Sequence, residues 1–438
     1  MNVISTLIKR AFSVVSLLIF ASFYSTAIAS EPTAETEFGK VLDPLIEKKL
    51  LPGYHFAVYK GGERVFVRSE GFADQEANIA ADENTLYAIA SMSKPIVTLA
   101  LLTLMESTDV GLSDPVSKYL PEFSDMLVAE GGSYDTQLTP ANRQITIYDL
   151  LTHTSGFTYS SDITGRGDIA NAYRDLEIFS LRSSVESEIG DLAAHTAKLS
   201  ELPLVTQPGA RFTYSVGIDV AGRVIEVVSG KNLREYLQDH IFIPLGMTDT
   251  DFEVDSDDEG RLARLYSPLK RTYQIPGIPK MYQKTDLLPD GIKNIGQGSA
   301  MYSGGAGLIS TAADYAKFMN FLLRRSDDNA LLLGQDSFDL MLTDQLGKTL
   351  GPNLMAPTMG NEASNQVFSI GLGIFLEDEA ESLIPKNYDY LGWSGAYNTH
   401  FWIDPKSQVA GIFMTQIFPP VYSITDQLEN VADQFFAD

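Results

Sequence analysis

The chain has no cysteine among its 438 residues. Disulfides, a thiol nucleophile and the lipidated cysteine of a lipoprotein anchor are therefore excluded. Basic residues are scarce: 32 Lys and Arg against 57 Asp and Glu leave a net charge of −25. Such a surface repels phosphate backbones and anionic headgroups, which argues against nucleic-acid and anionic-membrane partners. The apolar run near the N-terminus, Ala11 to Phe23, is too short for a bilayer span. It follows Lys9 and Arg10 and precedes Ala27-Ile28-Ala29, the pattern of a secretory signal cleaved after a small-x-small site. Residues 1–29 are accordingly expected to be a signal peptide, and residues 30–438 a periplasmic or secreted bacterial protein with no stable membrane insertion after cleavage. No zinc spacing, phosphate loop or tandem repeat occurs. The acidic run from Asp255 to Gly260 has Tyr266, not Glu, at the twelfth position of a calcium loop and reads as a solvated turn. No metal or cofactor is expected.

What is present is Ser91-Met92-Ser93-Lys94-Pro95 running into the apolar stretch Ile96 to Met105. Residues three apart on a helix share a face, so Lys94 Nζ can reach Ser91 Oγ and make a serine nucleophilic without histidine. Ser91 or Ser93 is a candidate N-cap, Pro95 suits a first turn, and Ile96, Leu99, Leu102 and Thr103 repeat at helical spacing. A second Ser-x-x-Lys, Ser267 to Lys270, carries proline inside the motif and lies in a stretch rich in Pro, Gly and Tyr, so it reads as loop.

The rest of the chain resembles the serine beta-lactamase and penicillin-binding-protein superfamily, in its class C-like branch near the family VIII carboxylesterases. The likeness runs from Ser91-Met92-Ser93-Lys94 through Leu150-Leu151-Thr152-His153-Thr154-Ser155-Gly156 and Pro208-Gly209-Ala210-Arg211-Phe212-Thr213-Tyr214-Ser215. It continues through Ile243-Pro244-Leu245-Gly246-Met247, Gly304-Gly305-Ala306-Gly307-Leu308 and Trp393-Ser394-Gly395, all in the expected order. The resemblance implies Ser91 as the acylated nucleophile, with Lys94 and Tyr214 sharing its activation. It implies an oxyanion hole from the backbone N–H groups of Ser91 and Ala396, and substrate contacts from Trp393, Ser394, Gly395 and His400. The expected partner is a small-molecule acyl substrate.

Two departures bear on the substrate. Where beta-lactamases and transpeptidases carry Lys-Thr-Gly, this chain has Trp393-Ser394-Gly395, which removes a cation able to bind a substrate carboxylate and with it about 1.5–3 kcal/mol of recognition. The tyrosine motif reads Tyr214-Ser215-Val216, with valine where class C beta-lactamases have asparagine. Both changes point to neutral ester or amide substrates and resemble the esterase branch, so a carboxylesterase acting on small neutral esters is expected. The alternatives are a beta-lactamase or D-amino-acid peptidase of the same mechanism, and a non-catalytic penicillin-binding-like sensor. An alpha/beta-hydrolase elbow at Gly392-Trp393-Ser394-Gly395-Ala396 fails on chain order, because that fold needs a histidine after the acid that follows the elbow, and the last of the five histidines, His400, precedes Asp404.

The coarse pattern agrees. A helix is expected over Glu35 to Lys49, and a hairpin pairs His55–Lys60 with Arg64–Ser69 across Gly61-Gly62. Helices dominate from Pro95 to about Leu323. Strands follow near Phe368–Phe375, Asn398–Ile403 and Val409–Thr415, then a helix from Ile424 to Phe436. This predicts an α+β fold of the beta-lactamase/transpeptidase type: one antiparallel sheet built from both chain ends (about 35–94 and 365–438), flanked by helices, with a mostly helical insertion (about 95–364). Ser91 is expected at the border of the insertion and Trp393 on the sheet edge, while residues 159–197 and 255–297 are expected to be irregular.

Overall fold

A computed structural model of the protein describes residues 32–179, 190–268, 282–284, 301–323, 332–347, 366–375, 390–418 and 424–437. The expected signal peptide, Lys270 and much of the 255–297 segment lie outside the described residues.

The first helix, α1 (Ala34–Glu47), starts where the Thr33 hydroxyl accepts the Thr36 N–H at 3.2 Å. It places Phe38, Leu42 and Leu45 on one stripe, and it ends two residues before the expected Lys49, which takes a positive φ of 53°. The hairpin of β1 (Gly53–Lys60) and β2 (Glu63–Asp74) forms with His55 opposite Ser69 as expected, but a register shift between Val58 and Tyr59 puts Tyr59 opposite Arg64 and Lys60 opposite Glu63, one residue past the expected pairing. Gly61 and Gly62, at φ 57° and 88°, supply the two left-handed residues that such a tight turn needs.

A short β3 (Ile79–Ala80) extends β2, and the remaining strands of the main sheet come from the other end of the chain. They are β4 (Gln366–Phe368), β5 (Gly373–Phe375), β6 (Tyr390–Gly395), β7 (Thr399–Asp404) and β8 (Val409–Met414). The eight-stranded order is β4-β5-β6-β7-β8-β1-β2-β3, with every neighbour antiparallel. The single strand expected over Phe368–Phe375 is two, because Gly371 turns the chain at φ 82°. A β-carbon there would lie 2.6 Å from Thr98 Oγ1, so the turn also depends on close approach.

Trp393 does not sit on an edge strand, since β6 is third in the sheet. β5 pairs only with Tyr390–Gly392, however, so no described strand covers the flank of Trp393–Gly395.

One face of the sheet packs Tyr54, Phe56, Val58, Trp402 and Phe413 against Phe38 and Leu42 of α1 and Leu428 and Ala432 of α6 (Thr425–Phe436). The other face sets Ala57, Phe401, Ile403 and Ile412 against α2 (Ser93–Ser107) and α5 (Ala312–Leu323). Each fully buried Leu, Ile or Phe contributes roughly 1.5–3 kcal/mol. Helix α2 is apolar nearly all round and buried on nearly every side, which makes it the post on which the site is mounted. Two helices, Asp168–Asp175 and Leu192–Ser200, occupy the segment 159–197 that was expected to be irregular. Ser267 lies in a short strand, Tyr266–Pro268, rather than in a loop. Among the described residues no helix is long and apolar enough to cross a membrane.

Candidate active site

Ser91 and Lys94 meet as their spacing predicts: Lys94 Nζ donates to Ser91 Oγ at 3.1 Å. The local reason differs from the expected one. Neither Ser91 nor Ser93 caps α2; Ser91 sits in a tight turn, Ala90–Met92, that feeds the helix, and its neighbour Ala90 is held at φ 43°. A non-glycine residue in that region persists only when its surroundings impose it. Here they do: the Ile89 N–H donates to Leu308 O at 3.0 Å, the Ser93 hydroxyl accepts the Leu308 N–H at 3.1 Å, and Tyr315 donates to Met92 O at 3.0 Å.

Lys94 is 1% exposed. A buried ammonium must place its three protons. One goes to Ser91, one to the carbonyl of Gly305 at 2.7 Å, and the charge lies 4.8 Å and 5.3 Å from the ring centres of Tyr214 and Tyr159. The glycine-rich segment thus holds the lysine. Gly305 is held in turn by Asp219 at the start of α4 (Gly217–Ser229), whose Oδ1 accepts the Gly305 N–H at 3.0 Å and the Ser303 hydroxyl at 2.5 Å. Burial raises the Asp219 pKa, against the opposing pull of Ser303 and of the Lys94 charge. A β-carbon on Gly305 would sit 2.5 Å from Asp219 Oδ2, so a larger residue would displace the carboxylate that holds this segment.

Tyr214 is half-buried between aromatic partners, with ring centres 4.8 Å from His153, 5.3 Å from Tyr159 and 5.6 Å from Trp393. The Trp393 indole N–H donates to the Tyr214 oxygen at 3.3 Å. Trp393 is 5% exposed and packs edge-on against Phe368, so its ring forms a wall behind Tyr214. The segment before Tyr214 is tied to the Thr152–Gly156 loop: Thr213 N–H donates to His153 O at 2.7 Å, Gly209 N–H to Thr154 O and Val205 N–H to Gly156 O. His153 is buried, and its Nδ1 accepts the Ser215 N–H at 3.3 Å. Burial and then the nearby Lys94 charge push its pKa well below the ordinary histidine value, so it is a neutral support. The loop leaves α3 (Ile147–Leu151), whose capping box at Thr146 and Asp149 is locked by a forked Arg143–Asp149 pair at 2.6 and 2.8 Å.

The end of β6 closes the site. A β-carbon on Gly395 would lie 2.4 Å from Ile89 O and 2.2 Å from Thr399 Oγ1, so the strand presses on the residue two before Ser91. Gly395 O accepts the Asn398 N–H at 3.0 Å, which closes a turn carrying Ala396. Ser394 is exposed and His400 half-buried, paired opposite each other across β6 and β7. Ser91, Lys94, Tyr214 and Trp393 thus converge, and Gly395 and Ala396 adjoin the Ser91 turn. Tyr159, Asp219, Ser303 and Asn398 were not read from sequence. The Gly304-Gly305 motif was noticed without its function as the lysine's acceptor.

A hydroxyl held by a buried lysine, with a phenol beside it and a strand edge alongside, is the constellation of a serine hydrolase built on the α+β fold of beta-lactamases and transpeptidases. Residues 38–434 match the family profile described as Beta-lactamase, and the chain belongs to that family. It is 31% identical to an uncharacterized protein of Mycobacterium tuberculosis over 84% of this chain and 87% of that one. It is 28% identical to Esterase EstB of Burkholderia gladioli over 89% of this chain and 94% of that one. Among solved structures it matches EstCE1, titled a hydrolase with promiscuous acyltransferase activity, at TM-score 0.70 and 24% identity, covering 91% of this chain and 98% of that one. The protein is a hydrolase of the Beta-lactamase family with esterase relatives.

Proposed function

We propose that the protein is a carboxylesterase that cleaves small neutral esters through an acyl-enzyme on Ser91. The observation that carries this reading is Lys94: fully buried, hydrogen-bonded to Ser91 Oγ at 3.1 Å and facing the Tyr214 ring at 4.8 Å. Ser91 Oγ attacks the ester carbonyl as its proton passes into the Lys94–Tyr214 pair, with the Tyr214 oxygen, beside Lys94 and the Trp393 N–H, carrying it onward to the leaving group. The tetrahedral oxyanion is held by the N–H groups of Ser91 and Ala396, each such donor contributing roughly 2.7–4 kcal/mol. The close approach of Gly395 to Ile89 supports that pairing. The intermediate collapses, the C–O bond breaks, and the leaving alkoxide takes the proton from Tyr214. Water then repeats the cycle on the acyl ester, giving its proton to Tyr214, and the acid departs as Ser91 recovers its proton.

A neutral substrate is favoured by the wall at Trp393. A buried indole occupies the position where a carboxylate-binding cation stands in beta-lactamases, so nothing there rewards the carboxylate of a beta-lactam. Export through the leader of residues 1–29 is part of the proposal and puts the activity in the periplasm or outside the cell.

The test is kcat/KM of residues 30–438 on a short-chain p-nitrophenyl ester and on a chromogenic cephalosporin, with Ser91→Ala as control. Ester turnover well above cephalosporin turnover, both lost in Ser91→Ala, is expected. Cephalosporin preference contradicts the substrate class, and turnover surviving in Ser91→Ala contradicts the nucleophile.

A further inference from the structure

The N–H groups on either side of Tyr214 are held by a single residue. The Thr213 N–H donates to the His153 carbonyl at 2.7 Å, and the Ser215 N–H donates to His153 Nδ1 at 3.3 Å, with the Ser215 hydroxyl at the same distance. The imidazole also packs among rings, its centre 4.8 Å from that of Tyr214, 5.6 Å from Phe212 and 5.5 Å from Phe368. This clasp sets where the phenol falls, with its oxygen 3.3 Å from the Trp393 indole nitrogen and its ring centre 4.8 Å from Lys94 Nζ.

Packing alone does not require histidine here. A backbone N–H can only donate, so Nδ1 carries the lone pair and the neutral ring keeps its proton on Nε2. Nε2 is buried and has no hydrogen-bond partner among the described residues. An unpaired buried donor is destabilising, and leucine or phenylalanine would meet the surrounding rings without one. The residue also sits at φ 55°, a left-handed conformation more frequent for histidine and asparagine than for apolar side chains. What histidine adds, against the stranded proton, is an acceptor for the Ser215 N–H.

We propose that His153 is a positioning residue for Tyr214: through its carbonyl and Nδ1 it holds residues 213 and 215 so that the Tyr214 oxygen stays beside Lys94 and the Trp393 indole, and it takes no proton itself. The purpose of that placement rests on the ester-hydrolase reading, but the placement can be measured without turnover. The chain has two tryptophans, Trp393 and Trp402, so an N–H correlation spectrum of isotope-labelled protein shows two indole resonances. That of Trp393 is assigned by its absence from Trp393→Phe and its shift in Tyr214→Phe.

His153→Phe keeps a ring and loses the acceptor. The Trp393 resonance is expected to move toward its position in Tyr214→Phe while that of Trp402 stays, and kcat on p-nitrophenyl butyrate to fall roughly 10- to 100-fold with KM little changed. His153→Leu is the second acceptor-free variant should the phenylalanine not fit. His153→Asn gives up the ring packing, so its melting temperature falls, but its Oδ1 stands where Nδ1 stood and asparagine tolerates the left-handed backbone. It restores both the Trp393 resonance and most of kcat, which separates an oriented acceptor from mere packing. Beside Tyr214→Phe, His153→Phe costs nothing further in kcat, because the oxygen it positions is already gone. A Trp393 resonance unmoved in folded His153→Phe or His153→Leu, a His153→Asn no better than either, or a full kcat penalty persisting beside Tyr214→Phe overturns the proposal. Absence of ester turnover in the wild type counts against the hydrolase reading alone, and the indole resonances still decide whether His153 places Tyr214.

Discussion

Replacing Tyr214 with phenylalanine deletes one oxygen and little else. The ring keeps its neighbours, with centres 4.8 Å from His153, 5.3 Å from Tyr159 and 5.6 Å from Trp393. The lost contact is the 3.3 Å hydrogen bond from the Trp393 indole, a neutral bond worth about 0.5–1.5 kcal/mol. The melting temperature should therefore fall by only a few degrees, and the far-UV spectrum should not change. Catalysis should respond far more strongly. A positioned acid–base group contributes roughly 10²–10⁴-fold, about 2.7–5.5 kcal/mol of barrier, and Lys94 cannot replace it alone because its protons are held by Ser91 and Gly305. The assay is kcat/KM on p-nitrophenyl butyrate beside the thermal melt of the same preparation. A folded Tyr214→Phe enzyme within tenfold of wild type refutes the assignment of proton transfer to Tyr214.

Other perturbations follow from the same geometry. Asp219→Ala strands the Ser303 hydroxyl and the Gly305 N–H in the interior, at about 1–3 kcal/mol for each buried group, so the urea midpoint should fall together with kcat as the Gly305 carbonyl loosens from Lys94. Gly395→Ala puts a methyl 2.4 Å from Ile89 O and 2.2 Å from Thr399 Oγ1; the strand must move off the Ser91 turn, costing about 1–3 kcal/mol of stability and at least about tenfold in kcat/KM. Arg143→Ala leaves Asp149 buried without its partner; with the arginine itself 43% exposed, the loss should be near the lower end of about 3–5 kcal/mol in denaturant unfolding. Burial opposes ionisation of Asp149, yet the Arg143 fork and Thr146 hold its pKa below the usual carboxylate value. A depressed pKa gives stability that is complete above the unfolded value of about 3.9 and lost as pH falls through the folded one, so the wild-type acid limb below about pH 4 should flatten in Arg143→Ala.

What could be read from sequence was what local spacing encodes. Ser91 and Lys94 are three residues apart, and the contact is one helical turn long. The Gly61-Gly62 hairpin and the Phe38, Leu42, Leu45 stripe are likewise short-range patterns. The N-cap expectation failed because tertiary contacts took over the same residues: Ser93 spends its hydroxyl on Leu308, 215 positions away. The acceptor for Lys94 is 211 positions away at Gly305, and the carboxylate that holds Gly305 is on another helix. No period in the sequence joins such groups. The split of 366–375 into two strands hung on a single glycine fitted against Thr98. Trp393 was noticed as a missing cation; its other role, as a hydrogen-bond donor to Tyr214, needed the fold.

The central claim is that Ser91 forms the acyl-enzyme and that Lys94 and Tyr214 arm it. The most direct measurement is mass spectrometry of the folded protein after brief exposure to a p-nitrophenyl alkylphosphonate, with peptide mapping of the adduct. A single phosphonyl adduct on Ser91 is expected, absent from Ser91→Ala and formed far more slowly in Lys94→Ala and Tyr214→Phe. An unlabelled wild-type protein, or an adduct on another residue, would contradict it.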